Sequence, residues 1–208
     1  MKNNNFGYIL LTPIMRVLFR IYYNPIIINK EYIPKDGSIV IACNHKHLFD
    51  QCLTIMATKR PINYMAKKEY FDGIFSWFFK FVGCIPVDRS KKDENAKKTA
   101  IDVLKNGGAI GIFPEGTRNR FKDKVLLDFK FGAVSMAKKT DSLIVPCAVT
   151  GDYKFRSKNL IVQYGRPFKV QDLKEDNLKL EKIIYDLIMD NLKKTDRSLN
   201  EELETHEV

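Results

Sequence analysis

Several signatures of common protein classes are missing from this 208-residue chain. Its four cysteines include no CxxC pair and sit in apolar surroundings, which argues against a disulfide framework and for buried thiols in a reducing compartment. There is no GxGxxG and no GxxxxGK[ST], so a dinucleotide fingerprint and a P-loop are both excluded. No Ser or Cys stands in a GxSxG elbow, which removes the commonest covalent acyl-enzyme arrangement. No A-x-A cleavage site follows the N-terminal apolar stretch, so a signal peptide is not expected. Helix-turn-helix, RNP and zinc-finger patterns are also absent, which leaves a nucleic-acid-binding module supported by basic charge alone.

That basic charge is the first positive feature. Lys and Arg number 35 against 25 Asp and Glu, a formal net charge of +10. Residues 196–208 hold one base, Arg197, against five acids, so the rest of the chain is more basic still. The acidic end reads as a frayed, solvated tail. The body calls for an anionic partner: a phosphorylated metabolite, an anionic membrane surface or nucleic acid. Apolar residues make up 45% of the chain, enough for a packed core in one domain.

Residues 6–23 are apolar and aromatic, but Pro13, Arg16 and Arg20 interrupt them. A bilayer-crossing helix needs about 20 apolar residues without central charge. A helix lying in the membrane interface fits better, with Arg16 and Arg20 on one face toward lipid headgroups; an ordinary core-packing amphipathic helix fits the pattern equally. Residues 71–83 form a second aromatic stretch, in which Phe75, Trp77 and Phe78 are candidates for contact with an acyl chain or lipid.

Strand-like runs at 38–43, 62–70, 84–87, 109–113, 143–151 and 159–165 alternate with helical patterns at 50–59, 95–108, 131–140 and 178–194. This order predicts one α/β domain with a mixed, mostly parallel central sheet flanked by helices. The organisation expected is an N-terminal membrane-associating helix (1–24), an α/β domain (25–195) and the acidic tail (196–208).

Two clusters follow predicted strands, where α/β proteins place their chemistry. The first is Asn44-His45-Lys46-His47-Leu48-Phe49-Asp50. A histidine with a carboxylate partner makes a general base of fixed tautomer. Residues five apart do not face each other on a straight helix, so His45 has to sit in a loop that curls back to Asp50 at the next helix start. Two other readings remain open on these residues alone. Asp50 can simply cap the helix, or Cys43, His45, His47 and Asp50 can hold a metal, although H-x-H-x-x-D is not a common zinc spacing. The second cluster is Phe113-Pro114-Glu115-Gly116-Thr117-Arg118-Asn119-Arg120. Here a glycine turn, a hydroxyl and two guanidiniums suit phosphate oxygens.

Taken together, these blocks resemble the glycerolipid acyltransferase family. NHKHLFD matches its N-H-x4-D block, and FPEGTRNR matches its F-P-E-G-T-R-S-R block with Asn119 in place of Ser. Gly83-Cys84-Ile85-Pro86-Val87-Asp88-Arg89 and Ile144-Val145-Pro146-Cys147-Ala148-Val149 resemble two weaker family blocks in the expected order. The resemblance implies His45 as general base and Asp50 as its orienting partner. It implies substrate phosphate binding by Glu115, Gly116, Thr117 and Arg118, with Arg120, Arg89 and either Lys67 or Lys68 as further contacts. His47 is expected to face solvent. The implied reaction moves an acyl group directly from acyl-carrier protein or coenzyme A thioester to the sn-2 hydroxyl of lysophosphatidic acid, giving phosphatidic acid. Another lysophospholipid or glycerol 3-phosphate is the sibling possibility. No cofactor and no metal are implied, nucleic acid is not an expected partner, and the expected location is the cytoplasmic face of the membrane, peripheral or monotopic.

Overall fold

The computed structural model describes residues 6–206, apart from 75, 89, 91, 92 and 122. The elements in order are α1 (Phe6–Tyr22), β1 (Ile26–Ile28), β2 (Ile39–Cys43), α2 (Asp50–Met56), β3 (Ile62–Lys67), α3 (Ser76–Phe81), β4 (Ile85–Val87), α4 (Glu94–Lys105), β5 (Ala109–Ile112), α5 (Gly132–Thr140), β6 (Leu143–Thr150), β7 (Ile161–Tyr164), β8 (Phe168–Lys169) and α6 (Leu173–His206). The strands form one sheet in the order β1-β7-β6-β2-β5-β3-β4, with β8 also beside β6. All pairings are parallel except those of β6 with β7 and with β8. The fold is thus the mixed, mostly parallel α/β sheet expected.

Strand β2 is buried at every position, as a continuous apolar run between two parallel neighbours should be. Its alternate residues feed two cores. Val40 and Ala42 pack with α4, α5 and α6 residues such as Leu104, Val134 and Ile184. Ile39, Ile41 and Cys43 pack on the other face with Leu53 of α2, with Phe19 of α1 half-buried against them. The molecule therefore has three layers, with α1 and α2 on the face opposite α4, α5 and α6.

Pro146 sits inside the central strand β6 without breaking it. The outer edge of β6 pairs with β8 at Leu143 and Ile144 and with β7 from Cys147 to Thr150. Pro146 falls between these two pairings, where its missing N–H leaves no ladder partner unsatisfied on that edge. The two-residue β8 escaped the sequence reading because a strand that short carries no periodicity. Helix α6 begins before residue 178 and runs on to His206, through most of the stretch expected as a tail. No glycine or proline interrupts 173–206, and Lys182–Asp186 and Asp190–Lys194 pairs one turn apart line its surface.

One close approach shapes the sheet near the site. A Cβ on Gly111 would lie 2.3 Å from the Tyr64 ring, and that ring stacks on Phe113 at 5.7 Å. Gly111→Ala should therefore destabilise the fold by about 1–3 kcal/mol through overpacking. Chemical denaturation would measure it; an unchanged midpoint would mean that Tyr64 retreats freely.

Candidate active site

Strands β2 and β5 are parallel neighbours, with Ala42 opposite Ile112. Their chains therefore leave the same edge of the sheet side by side, and this brings the two sequence clusters together. Asn44 closes the end of β2. Its side-chain amide donates to Val149 O at 2.9 Å and accepts from Val149 N at 2.8 Å.

Beyond it the chain curls as the five-residue spacing requires. His45 Nδ1 lies 2.9 Å from Asp50 Oδ2. The same oxygen accepts the backbone N–H groups of Lys46 and His47, each at 2.8 Å. The Tyr153 hydroxyl donates to the other oxygen, Oδ1. Asp50 is fully buried and opens α2, yet it does not act as the N-cap, which is Phe49. A carboxylate only accepts, so Nδ1 carries the proton and Nε2 keeps its lone pair. The His45 ring stacks on Phe113 at 3.9 Å with the planes 11° apart, so it is a packed residue and not a free loop side chain.

The second cluster grips the first. Glu115 is buried; its Oε1 accepts His45 N at 2.7 Å and its Oε2 accepts Leu127 N at 2.9 Å. Asn119 N donates to His45 O at 2.7 Å. Both backbone groups of His45 are thus held by the Glu115–Asn119 turn. Burial pushes the Glu115 carboxyl above its ordinary value, against the two amides that favour the charged form. The Glu115 oxygens thus face the protein's own amides, an anchoring place in the turn beside the phosphate contact that the resemblance implies for it. Asn119 closes the following turn, accepting from Phe121 N at 3.1 Å and donating to Lys124 O at 2.9 Å. Gly116 has φ +71°, the left-handed region glycine favours. Thr117 and Arg120 are exposed and Arg118 is half-buried; neither guanidinium has an acidic partner among the described residues.

Other expectations divide. Lys67 pairs with Glu69 at 2.9 Å on the surface. Lys68 lies in a groove with Asp88 and Asp93 beside α4, on the sheet face away from Phe113 and Tyr64. Arg89 and Phe75 are outside the described residues. His47 does not face solvent freely. Its ring lies on Tyr153 at 3.9 Å, and its Nδ1 accepts Phe49 N at 3.3 Å. The donors considered for a metal do not converge: Cys43 is buried in the sheet, and His45 Nδ1 and His47 Nδ1 are each engaged. Burial raises the Cys43 thiol and lifts Cys52 and Cys84 to about 12, so these thiols stay protonated near neutral pH.

Arg16 is also reassigned, while Arg20 remains exposed. Arg16 donates to Ile55 O at 3.3 Å and to Thr58 O, around the end of α2. Arg20 donates to Pro25 O at 2.9 Å. Arg16 thus anchors α1 to α2, Arg20 braces only the turn that follows the helix, and an apolar stripe of Phe6, Ile9, Leu10, Ile14, Val17 and Ile21 is exposed. The Phe6 ring meets Phe81 of α3, beside exposed Ile74 and Trp77. No helix among the described residues is long and apolar enough to cross a membrane.

Tyr153 is the residue the sequence reading missed. It lies in the β6–β7 connection, more than a hundred positions from Asp50, with no local pattern to mark it.

Known proteins resemble this chain in sequence and in fold. The chain is 40% identical over 127 residues to a 1-acyl-sn-glycerol-3-phosphate acyltransferase of Bacillus subtilis, covering 59% of this chain and 61% of that protein. It is 30% identical over 157 residues to the enzyme of the same name from Streptococcus pneumoniae, covering 72% and 57%. The chain thus spans about three-fifths of the length of the curated relatives it matches. The crystal structure of the 1-acyl-sn-glycerophosphate (LPA) acyltransferase PlsC from Thermotoga maritima shares the fold, with a TM-score of 0.74, 20% identity, and coverage of 91% of this chain and 83% of that one. The Acyltransferase family model matches residues 24–150, a segment that takes in His45, Asp50 and the whole Phe113–Arg120 turn, and the chain belongs to that family.

Proposed function

We propose that this protein transfers a fatty acyl group from a thioester, acyl-carrier protein or acyl-coenzyme A, to the sn-2 hydroxyl of lysophosphatidic acid. The carrying observation is the His45–Asp50 pair, 2.9 Å apart, with the Glu115–Asn119 turn hydrogen-bonded to both backbone groups of His45. This puts a base and a cationic turn next to each other, as an acceptor with a phosphate handle and a reacting hydroxyl requires. The names of the relatives support the same acceptor.

In this reading His45 Nε2 takes the proton of the acceptor hydroxyl as its oxygen attacks the thioester carbonyl carbon. Asp50 holds the imidazole and stabilises its protonated form. The tetrahedral intermediate collapses with cleavage of the C–S bond, and the departing sulfur takes the proton back from His45. The thiols of buried Cys43 and half-buried Cys52 and Cys84 stay protonated near neutral pH, which suits direct transfer. The apolar faces of α1 and α3 seat the protein in one leaflet, at the cytoplasmic face of the membrane, where the lipid acceptor lies.

Acyl-transfer assays in detergent micelles or vesicles test the reading directly. His45→Ala should lower kcat by about 10²–10⁴-fold, with folding checked by circular dichroism; a wild-type rate would end the mechanism. Arg118→Ala should chiefly raise KM for lysophosphatidic acid. Tyr153→Phe removes one hydrogen bond from the Asp50 charge, an interaction worth about 1.5–3 kcal/mol. It should lower kcat by roughly tenfold or more with KM for both substrates unchanged, and equal loss in KM would assign Tyr153 a substrate contact instead. Polar substitution of Ile9, Ile14 and Val17 together should reduce sedimentation with anionic vesicles while sparing the thermal midpoint. Undiminished sedimentation would remove α1 from membrane seating.

A further inference from the structure

A lysine outside both sequence clusters lies over the phosphate turn. A Cβ built on Gly116 would be 2.7 Å from Lys130 Nζ, 2.8 Å from its Cε and 3.0 Å from its Cδ. The end of the Lys130 side chain therefore occupies the space that any other residue at 116 would fill. The backbone holds the exposed Lys130 beside the turn. Lys130 N donates to Pro114 O at 2.9 Å, Leu127 N donates to Glu115 Oε2 at 2.9 Å, and Phe129 between them is buried. The segment 127–130 is thus tied along the turn at two points.

The ammonium has no acidic partner among the described residues, unlike Lys67, Lys154, Lys169 and Lys194, each of which pairs with a carboxylate. The nearest acid in the turn, Glu115, has both oxygens occupied by backbone amides. Across the same turn, Asn119 N holds the carbonyl of His45. Lys130 therefore places an unneutralised cation over the turn that also grips the general base.

We propose that Lys130 binds the acceptor phosphate and selects a phosphomonoester over a phosphodiester, a proposal that rests on the acceptor reading above. A half-buried guanidinium at Arg118 offers a planar fork that either headgroup can fill. A compact ammonium with three donors adds a second point charge. Its Coulomb gain is greatest against the second negative charge, which only the monoester carries near neutral pH. The lysine thus supplies discrimination that the Arg118 fork alone does not.

The test compares wild-type protein with Lys130→Met, Lys130→Arg, Arg118→Ala and a control, Lys139→Met on the exposed side of α5. Initial acyl-transfer rates would be measured with lysophosphatidic acid and with lysophosphatidylglycerol, a phosphodiester. Lys130→Met should raise KM for lysophosphatidic acid roughly tenfold, with kcat within about twofold and KM for the diester little changed. Lys130→Arg should recover most of the loss, and Lys139→Met should match wild type. An unchanged KM in Lys130→Met, or an equal rise for both acceptors, would overturn the proposal. If Arg118→Ala still raises KM for lysophosphatidic acid in that case, the acceptor reading stands and only the role of Lys130 falls. If the wild-type protein acylates neither lipid, both fall.

Discussion

The site depends on a buried carboxylate held by backbone amides and not by a cation. Glu115 bridges His45 N and Leu127 N, so one side chain ties the end of β2, the turn after β5 and the segment leading into α5. Burial costs a carboxylate heavily unless its oxygens are hydrogen-bonded. Here two amides offset that cost only in part, because the carboxyl still sits above its ordinary value. The sign follows from linkage. A carboxyl whose folded-state value is raised contributes stability when protonated, and loses that contribution as pH rises through the raised value. Stability at neutral pH is therefore lower than it would be with Glu115 protonated, while Glu115 holds the amide of His45 and Asn119 its carbonyl.

Asp50 follows the same rule on the neighbouring loop. Two backbone amides and a phenol surround it, along with the imidazole it orients. Tyr153 is itself wedged between aromatic rings. It stacks on His47 and meets Tyr23, which follows α1. Phe19 of α1 meets Phe49 edge-on at 5.5 Å. The helix with the exposed apolar stripe is thus packed against the shell that holds the dyad. Arg16 matters here because it bonds two carbonyls at the end of α2, whereas Arg20 stays exposed at the end of the helix and bonds the chain just after it; between them α1 leaves a mainly apolar stripe outward.

Much of this was legible in the sequence for identifiable reasons. Strands β2, β5 and β6 are continuous apolar runs, and α4 carries a 3.6-residue pattern ended by Asn106 and Gly107, so local periodicity was enough. The His45–Asp50 contact was implied by the family resemblance, and the five-residue spacing required a curled loop to make it. What escaped was non-local. Tyr153 reaches Asp50 across 103 positions, and Glu115 reaches His45 across 70. A residue type alone does not reveal that a glutamate three positions before an arginine turns inward, or that of two arginines four apart on an apolar helix one bonds the domain and the other stays exposed.

These contrasts divide the charges of the site by what satisfies them. The two carboxylates nearest the base are inside, with their oxygens met by the protein's own N–H groups and one phenol. The cations of the turn, Arg118, Arg120 and Lys130, lie further out and lack protein partners among the described residues. Had Glu115 paired with Arg118, each would have neutralised the other and the turn would offer little to an anion. Since backbone amides satisfy the acid, the cations keep their full charge for a ligand, and Gly116 leaves the room in which Lys130 can join them. The glycine in this turn therefore serves two physical ends, a left-handed backbone and a vacant side-chain position, and no other residue type supplies both.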